Sequence, residues 1–589
     1  MKFLCFVVLA LTFATIVAWG QFVSSGSFTT SGGANWGLPG MVCGPPQYLC
    51  SRTDLSVAPI LTVPDVTAGA NTVATDPQFG GRILRMTDGN TDSSSANASF
   101  VATYSGGDID NRWNSNSTLL AFGRTGGSNS YVTSFNPATM QVGATFYLVP
   151  SKAVAFPDTN PNVLYDFEFS ASPAMAAIKK YDFTSGLSTP TVTTVYDFSQ
   201  GDCINGYAPT AQTFFTIAKD DQTFMIGMGD TPGGAQNTAV LVAVYKVGSG
   251  CRVYNTSNAT DGGVPAASIV GDWGPTGAIT MTGGTSNPDE YTLHEVTGSL
   301  NGSFLILAQG TCLNSCGSDA PFLWQTNTVS VIPSNTSGHY CQGYNLFIHG
   351  NNSPQGQMAI ATIANPPVNT NLITTANLGT PGVSALDIHC SWNNDSSSDT
   401  AFVVQANTST GALSGIGPVN GVVGSFSGPF VNEILGYPTS APGSSSAFIR
   451  RFAHSFISAI SASFSAQEAI GTVSQDGRFF MFTSDWMGTL GSSSGGRSCI
   501  AGGPKWVASS AYSTTTVAAC TRASYSNTSC ISPANANGNV FAATTGGTSG
   551  STAPNWPSAL GTTVSDGTIV WTNAGPANCR QDVFVAELR

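Results

Sequence analysis

Charge is what this chain of 589 residues has least of. Only 9% of its side chains are Asp, Glu, Lys or Arg, against about 25% in an ordinary soluble domain. Lys and Arg total 20 against 32 Asp and Glu, a formal net charge of -12, so the basic footprint of a nucleic-acid binder is absent. Charge-driven disorder is excluded as well. Disordered chains are rich in charge and poor in aromatics, whereas 10% of these residues are aromatic and 41% are hydrophobic. The Ala, Leu, Glu and Lys runs that sustain long helices are scarce. No phosphate loop and no His-Glu-x-x-His motif occurs, which removes two familiar routes to nucleotide and metal chemistry. Histidine is nearly missing too: there are five, all between His294 and His454.

Glycine, by contrast, is abundant at 66 residues, and Ser, Thr and Asn are frequent. That composition favours strands, tight turns and polar loops. One long apolar run exists, at the N-terminus: Lys2 precedes Phe3–Val17, and Ala18-Trp19-Gly20 follows. This is the layout of a secretory signal peptide over residues 1–20, cut before Gln21. A membrane anchor is the alternative, but the run is shorter than the roughly 20 residues a span takes. No second such run occurs, so a secreted or periplasmic protein without a membrane span is expected. Of 13 cysteines, Cys5 lies in the leader, and the even remainder suits an oxidising compartment. Spacing suggests the pairs Cys43–Cys50, Cys203–Cys251, Cys312–Cys316, Cys341–Cys390 and Cys520–Cys530, leaving Cys499 with Cys579. Zinc on Cys312 and Cys316 is the alternative at one of them.

A polar turn followed by four or five apolar residues recurs seven times along the chain. Asn114–Ser117 precedes Thr118–Phe122, Lys219–Gln222 precedes Thr223–Ile226, Ser353–Gly356 precedes Gln357–Ile360, and Ser474–Gly477 precedes Arg478–Phe482. Each reads as a hairpin turn feeding a buried strand. Strands such as Tyr131–Phe135 and Val242–Val247 follow, and Asp582–Leu588 has the same character. Two hairpins per repeat point to an all-β fold, a seven-bladed β-propeller. A β-sandwich array or a β-helix is the alternative.

The turn and strand Ser474-Gln475-Asp476-Gly477-Arg478-Phe479, with its looser copies, resembles the blades of TolB-type propellers. Val473–Gly491 together with Asp582–Leu588 resembles the last blade of secreted seven-bladed propellers of soil bacteria. The resemblance implies a fold more than an activity. The expected division is an N-terminal extension over 21–70, a propeller over 71–498 and 579–589, and a small β-rich module over 499–578 inserted in the last blade. The module, with its Asp566-Gly567 hairpin, looks like those of phage tail and bacterial surface proteins, which implies attachment to a surface. Trp506, Tyr512, Trp556 and Trp571 are candidates for a sugar-stacking face; the plainer reading makes them the core of a domain with little else to bury.

The histidines carry the remaining chemistry. His294, His349 and His389 each lie six or seven residues before a polar turn, an equivalent place on the first strands of three consecutive blades. First strands line a propeller channel, so three imidazoles there suit one divalent metal ion. His339 and His454 lie in connections able to reach the same mouth and are candidate bases, and Arg451, with Arg450, is a candidate to bind an acidic sugar. The plainer reading has these side chains hydrogen-bonding neighbouring blades. The layout is similar to that of oligogalacturonate lyases, whose propeller channel carries a histidine-held metal. Two functions are therefore expected in competition. One is a lyase-like protein acting on or binding an acidic extracellular polysaccharide or cell-surface glycan; the other is a surface-binding or adhesion protein without turnover.

Overall fold

A computed structural model describes residues 43–589 apart from internal stretches, the longest of them 375–389 and 408–429. Regular structure among the described residues is almost entirely antiparallel β. The strands fall into consecutive four-stranded meanders. Unit 1 comprises Phe100–Val101, Leu119–Arg124, Ser130–Asn136 and Gln141–Val149; unit 2 runs from Val154–Ala155 to Thr191–Asp197. Unit 3 comprises Ala211–Ile217, Thr223–Gly229, Ala239–Lys246 and Gly250–Asn255, and unit 4 runs from Tyr291–Gly298 to Ser330–Pro333. Unit 5 comprises Ser337–Gln342, Leu346–Gly350, Gly356–Thr362 and Asn369–Thr374, and unit 6 runs from Cys390–Ser391 to Arg450–His454. Unit 7 orders Gly471–Val473, Phe479–Ser484, Asp582–Glu587 and Arg82–Arg85 side by side, with Thr72–Thr75 at its edge.

Apolar clusters join each unit to the next. In the second strand of unit 1, Leu120 and Phe122 pack toward unit 7 while Leu119 and Ala121 pack toward unit 2. Phe224 and Ile226 of unit 3 face unit 2, and Met225 faces unit 4. Phe480 and Phe482 face unit 6, and Phe479 and Met481 face unit 1. Successive side chains of a strand point to opposite faces, and here both faces are buried. This is why the sequence shows continuous apolar runs and not an in–out alternation. The packing returns from unit 7 to unit 1, so the units close a circle, the architecture of a β-propeller. From unit 2 to unit 7 each first strand touches the first strand of the next unit, which makes the first strands the inner ones.

The circle is closed by two segments far apart in the sequence. Arg82–Arg85 pairs with Asp582–Glu587 in the register Ile83↔Ala586, Leu84↔Val585, Arg85↔Phe584. Glu587 accepts two hydrogen bonds from Arg82, at 2.9 and 2.8 Å, and buried Asp582 accepts from Arg85 at 2.6 Å. On its other edge Asp582–Glu587 pairs with Phe479–Ser484, as the sequence suggests.

Between these two adjacent strands the chain builds separate sheets. Cys530–Ile531, Asn539–Thr545, Ile569–Pro576 and Thr563–Asp566 form a four-stranded sheet, and Ser492–Ser498 pairs with Asn578–Cys579. The hairpin at Asp566-Gly567 is present, with Asp566 opposite Ile569. Gly567 has φ 61, and a Cβ there would lie 2.3 Å from the Thr548 carbonyl oxygen, so the turn requires glycine.

The disulfides Cys43–Cys50, Cys341–Cys390 and Cys520–Cys530 form as expected. Cys251 is also disulfide-bonded, whereas Cys203, Cys316 and Cys499 lie outside the described residues, as do the side chains of Cys312 and Cys579. Among the described residues no helix is long and apolar enough to cross a membrane.

Candidate functional site

The turns between first and second strands gather on one face of the ring, and their backbone groups together with Asn, Asp and Gln side chains tie each unit to the next. Asn114 Nδ2 donates to the Pro161 carbonyl at 2.8 Å. The Asp158 and Thr159 N–H groups donate to the Asp221 carboxylate, both at 2.8 Å. Lys219 N–H bonds the Leu300 carbonyl at 2.8 Å, and Leu300 N–H bonds that of Gly343 at 3.0 Å. Tyr344 N–H donates to Asp395 at 2.7 Å, Asn393 Nδ2 to Thr472 Oγ1 at 2.8 Å, and Gln475 Nε2 to the Trp113 carbonyl at 3.3 Å. The polar turns therefore form a second, hydrogen-bonded circle on top of the apolar one.

Lys219 crosses this circle. Its Nζ donates to Asp158 Oδ2 at 2.8 Å and to the Asn393 carbonyl at 3.0 Å, linking units 2, 3 and 6. Burial raises the Asp158 carboxyl above its ordinary value, and Lys219 offsets only part of that. Both charges are engaged, so this hub holds the turns together. Beside it, the turns of units 3 and 4 enclose an open cleft of about 250 Å³, with Asp220, Gln222, Lys246, Ser249, Asn301 and Asn327 in its lining. The sequence marks Lys219 only as part of a turn repeat and Lys246 only as part of a strand. The available signal was their rarity: a lysine inside a turn repeat of so uncharged a chain needs a reason.

The expected catalytic residues have other partners. Arg451 and His454 are buried on the outermost strand of unit 6. Arg451 donates to both Glu433 oxygens, at 2.7 and 2.6 Å, and to the carbonyls of Asp54 and Ser56, at 2.8 and 2.9 Å. His454 Nδ1 lies 3.0 Å from Asp76 Oδ2, and its Nε2 lies 2.8 Å from the Ala58 carbonyl oxygen. Trp486 adds a bond to the Pro64 carbonyl at 2.7 Å, and Tyr48 one to Gly477 at 2.9 Å. Together these groups strap residues 43–66 across units 6 and 7. A carbonyl oxygen faces one ring nitrogen and a carboxylate the other, so both nitrogens are already occupied by partners of this chain. This geometry does not let it take a proton from a substrate, and Arg451 has no face left for a sugar.

The His454–Asp76 pair carries a pH dependence. Burial alone would lower His454, but Asp76, Glu433 and the Ala58 carbonyl hold it above its ordinary value. Burial alone would raise Asp76, but His454 and the Gln78 N–H hold it below the usual carboxylate range. The pair's stabilisation is therefore complete between the unfolded-state values, about 4 for Asp and about 6.5 for His. It is lost as pH rises through the raised His454 value, and again as pH falls through the lowered Asp76 value. The thermal midpoint should decline on the alkaline side, and His454→Gln should flatten that limb. An unchanged slope in His454→Gln would assign the decline to other groups.

The histidine trio is not equivalent. His349 lies on Leu346–Gly350, the second strand of unit 5, opposite Tyr340 of the first strand. It is buried, and its Nε2 bonds Asn369 Oδ1 at 3.1 Å. Residues 353–356 come after this strand in the chain and not after the first one, so His349 sits one strand later than its spacing in the sequence implies. His339 holds the first-strand place in unit 5 and His294 that of unit 4; their side chains lie outside the described residues, as does all of His389. His349 does not fit an ion shared with first-strand histidines. Among the described residues no group of His, Cys, Asp and Glu could hold a metal.

The tryptophans divide. Trp571 is buried in a cluster with Ile531, Phe541 and Ile569, and its Nε1 donates to Asp566 Oδ2 at 3.0 Å. Trp506 donates to the same oxygen at 2.7 Å. Trp571 is thus core and not sugar platform, while Trp506, Tyr512 and Trp556 flank that core half-buried.

No family model matches the chain, and no curated protein matches it. Among solved structures it is similar to an oligogalacturonate lyase from Vibrio parahaemolyticus, at 11% identity over 71% of this chain and 94% of that one, with a TM-score of 0.37. It is also similar to the hydrazine synthase of Kuenenia stuttgartiensis, at 12% identity over 65% and 94% with a TM-score of 0.33. A third likeness is to the β-propeller domain of the trilobed protease of Pyrococcus furiosus, at 8% identity over 60% and 97% with a TM-score of 0.26. At this distance the likenesses carry no argument, and the fold stands on the chain's own strand pairing and packing.

Proposed function

We propose that the chain is an exported, seven-bladed β-propeller that binds an acidic extracellular polysaccharide without cleaving it, with residues 499–578 as an inserted module serving surface attachment. The observation that carries the reading is the polar turn face with its open cleft lined by amides, hydroxyls, one lysine and one carboxylate, the groups that suit a carbohydrate. Engagement of Arg451 and His454 in the strap removes the two candidates for turnover that the structure describes. The leader-like N-terminus and the disulfides support export.

A second reading keeps lyase-like turnover in the channel. It draws on His294 and His339, which lie on the neighbouring first strands of units 4 and 5. One experiment separates the two. The purified protein is passed over immobilised polyuronates and neutral glucans, and the same polymers are followed for ultraviolet absorbance from new unsaturated ends. Retention on polyuronates without new absorbance is expected. New absorbance, lost in His294→Ala or His339→Ala, would replace the binding reading by the lyase one. Failure to be retained on any acidic polymer would end the binding reading.

A further inference from the structure

We propose that the cleft between units 3 and 4 is a subsite for one carboxylated sugar residue, with Lys246 as its counter-ion; this rests on the polysaccharide-binding reading. Lys246 ends the third strand of unit 3 and pairs with Gly250 across the turn. Its Nζ sits 4.2 Å from the centroid of the Trp273 ring. That ring is itself fixed: its indole N–H donates to the Gly250 carbonyl at 3.3 Å, and its backbone carbonyl accepts from Arg252 at 2.6 Å. An ammonium held over an aromatic face has already given up much of its rotamer freedom, so a ligand need not order it.

Among the described residues no carboxylate pairs with Lys246. This is notable in a chain whose acids outnumber its bases 32 to 20. Lys219, in the neighbouring turn, is paired with the Asp158 carboxylate and also donates to the Asn393 carbonyl. The one carboxylate in the lining, Asp220, is turned onto its own turn, where it accepts from Gln222 N–H, Thr223 N–H and Thr223 Oγ1 at 2.8, 2.9 and 2.8 Å. The side chains of Ser249 and Asn327 form no hydrogen bond among the described residues and line the same space.

The cleft therefore has in its lining a lysine whose ammonium is held over Trp273 at its margin, a hydroxyl and an amide, in about 250 Å³. That is smaller than the roughly 300 Å³ at which drug-sized sites begin, and suits a single ring. A uronic acid residue has this complement: one carboxylate and several hydroxyls. A neutral hexose leaves the ammonium unmatched. A phosphate calls for more cations or a cradle of backbone N–H groups. The open side lets a polymer enter and leave the ring's position.

The test uses the full protein with Lys246→Gln, Lys246→Arg and Asn327→Ala, each checked for an unchanged melting curve. Saturation-transfer NMR reads contact with free glucuronate, galacturonate, glucose and inorganic phosphate, and retention on a polyuronate column reads the polymer. Uronate contact is expected in the wild type and in Lys246→Arg. It should be lost in Lys246→Gln, with polymer affinity falling about tenfold, the scale of one charge-assisted hydrogen bond. Asn327→Ala should weaken both uronates less. Undiminished uronate contact in Lys246→Gln would place the sugar elsewhere while leaving polysaccharide binding intact. Phosphate displacing uronate at equal concentration would make the cleft an anion site without sugar recognition. Absence of polyuronate binding in the wild type would instead overturn the parent reading.

Discussion

Deleting Asp582–Arg589 should abolish the cooperative unfolding transition and not merely lower its midpoint. The strand Asp582–Glu587 is bonded on both edges, to Phe479–Ser484 and to Arg82–Arg85. Val583 and Val585 fill the junction of units 7 and 1, and Phe584 fills that of units 6 and 7, stacked on Trp486 at 4.4 Å. Burial of each such side chain is worth about 1.5–3 kcal/mol, so losing three approaches the 5–15 kcal/mol that holds a whole domain folded. The deletion also strands Arg85, whose partner Asp582 is buried with it. Circular dichroism melting with limited proteolysis reads the result. A truncated chain that still melts cooperatively near the wild-type temperature would show that the ring does not depend on this closure.

Arg451→Met should cost about 3–5 kcal/mol, because it leaves the buried carboxylate of Glu433 without its partner. The same change frees the carbonyls of Asp54 and Ser56, so residues 43–66 should become the first site of proteolysis. Adding Glu433→Gln to Arg451→Met removes the stranded charge and should recover part of the loss, since a buried ion pair replaced as a whole is far cheaper than one broken. Denaturant midpoints of the two single variants and the double variant form the measurement. Equal loss in Arg451→Met and in the double variant would mean that packing, not the charge, dominates at this site.

The fold was legible where its signals are local. Turns at 114–117, 219–222 and 474–477 announce themselves through Asn, Asp and Gly chemistry, and the runs after them are apolar because both strand faces are buried. Unit 5 misled. The turn Gly343–Asn345 is short and weakly marked, whereas Ser353–Gly356 carries Pro and Gly, so His349 was assigned to the strand before the one it occupies. The pairing of Arg82–Arg85 with Asp582–Glu587 joins segments about 500 residues apart, and no local pattern specifies such a partner. The site was less legible still. Residue type suggested that Arg451 and His454 act on a ligand, but burial is a tertiary property, and the two turned inward onto the strap. For Trp571 the plainer reading as core holds, but the sequence left it beside the sugar-stacking one, since an aromatic in a strand looks alike whether its face meets solvent or Phe541.

Closure by Arg82–Arg85 against Asp582–Glu587 has a consequence for biosynthesis. A ribosome delivers Asp582 more than a hundred residues after the first strand of unit 7, Gly471–Val473. Until then, unit 7 lacks its middle strand, which leaves Arg82–Arg85 with an open edge and the junction with unit 1 unfilled beside Phe479 and Met481. A chain interrupted anywhere in 499–581 keeps that edge exposed, a target for proteases and for edge-to-edge association. Closure of the ring thus waits on delivery of Asp582–Glu587, and an emerging chain that lacks this strand is held in an unfinished, recognisable state.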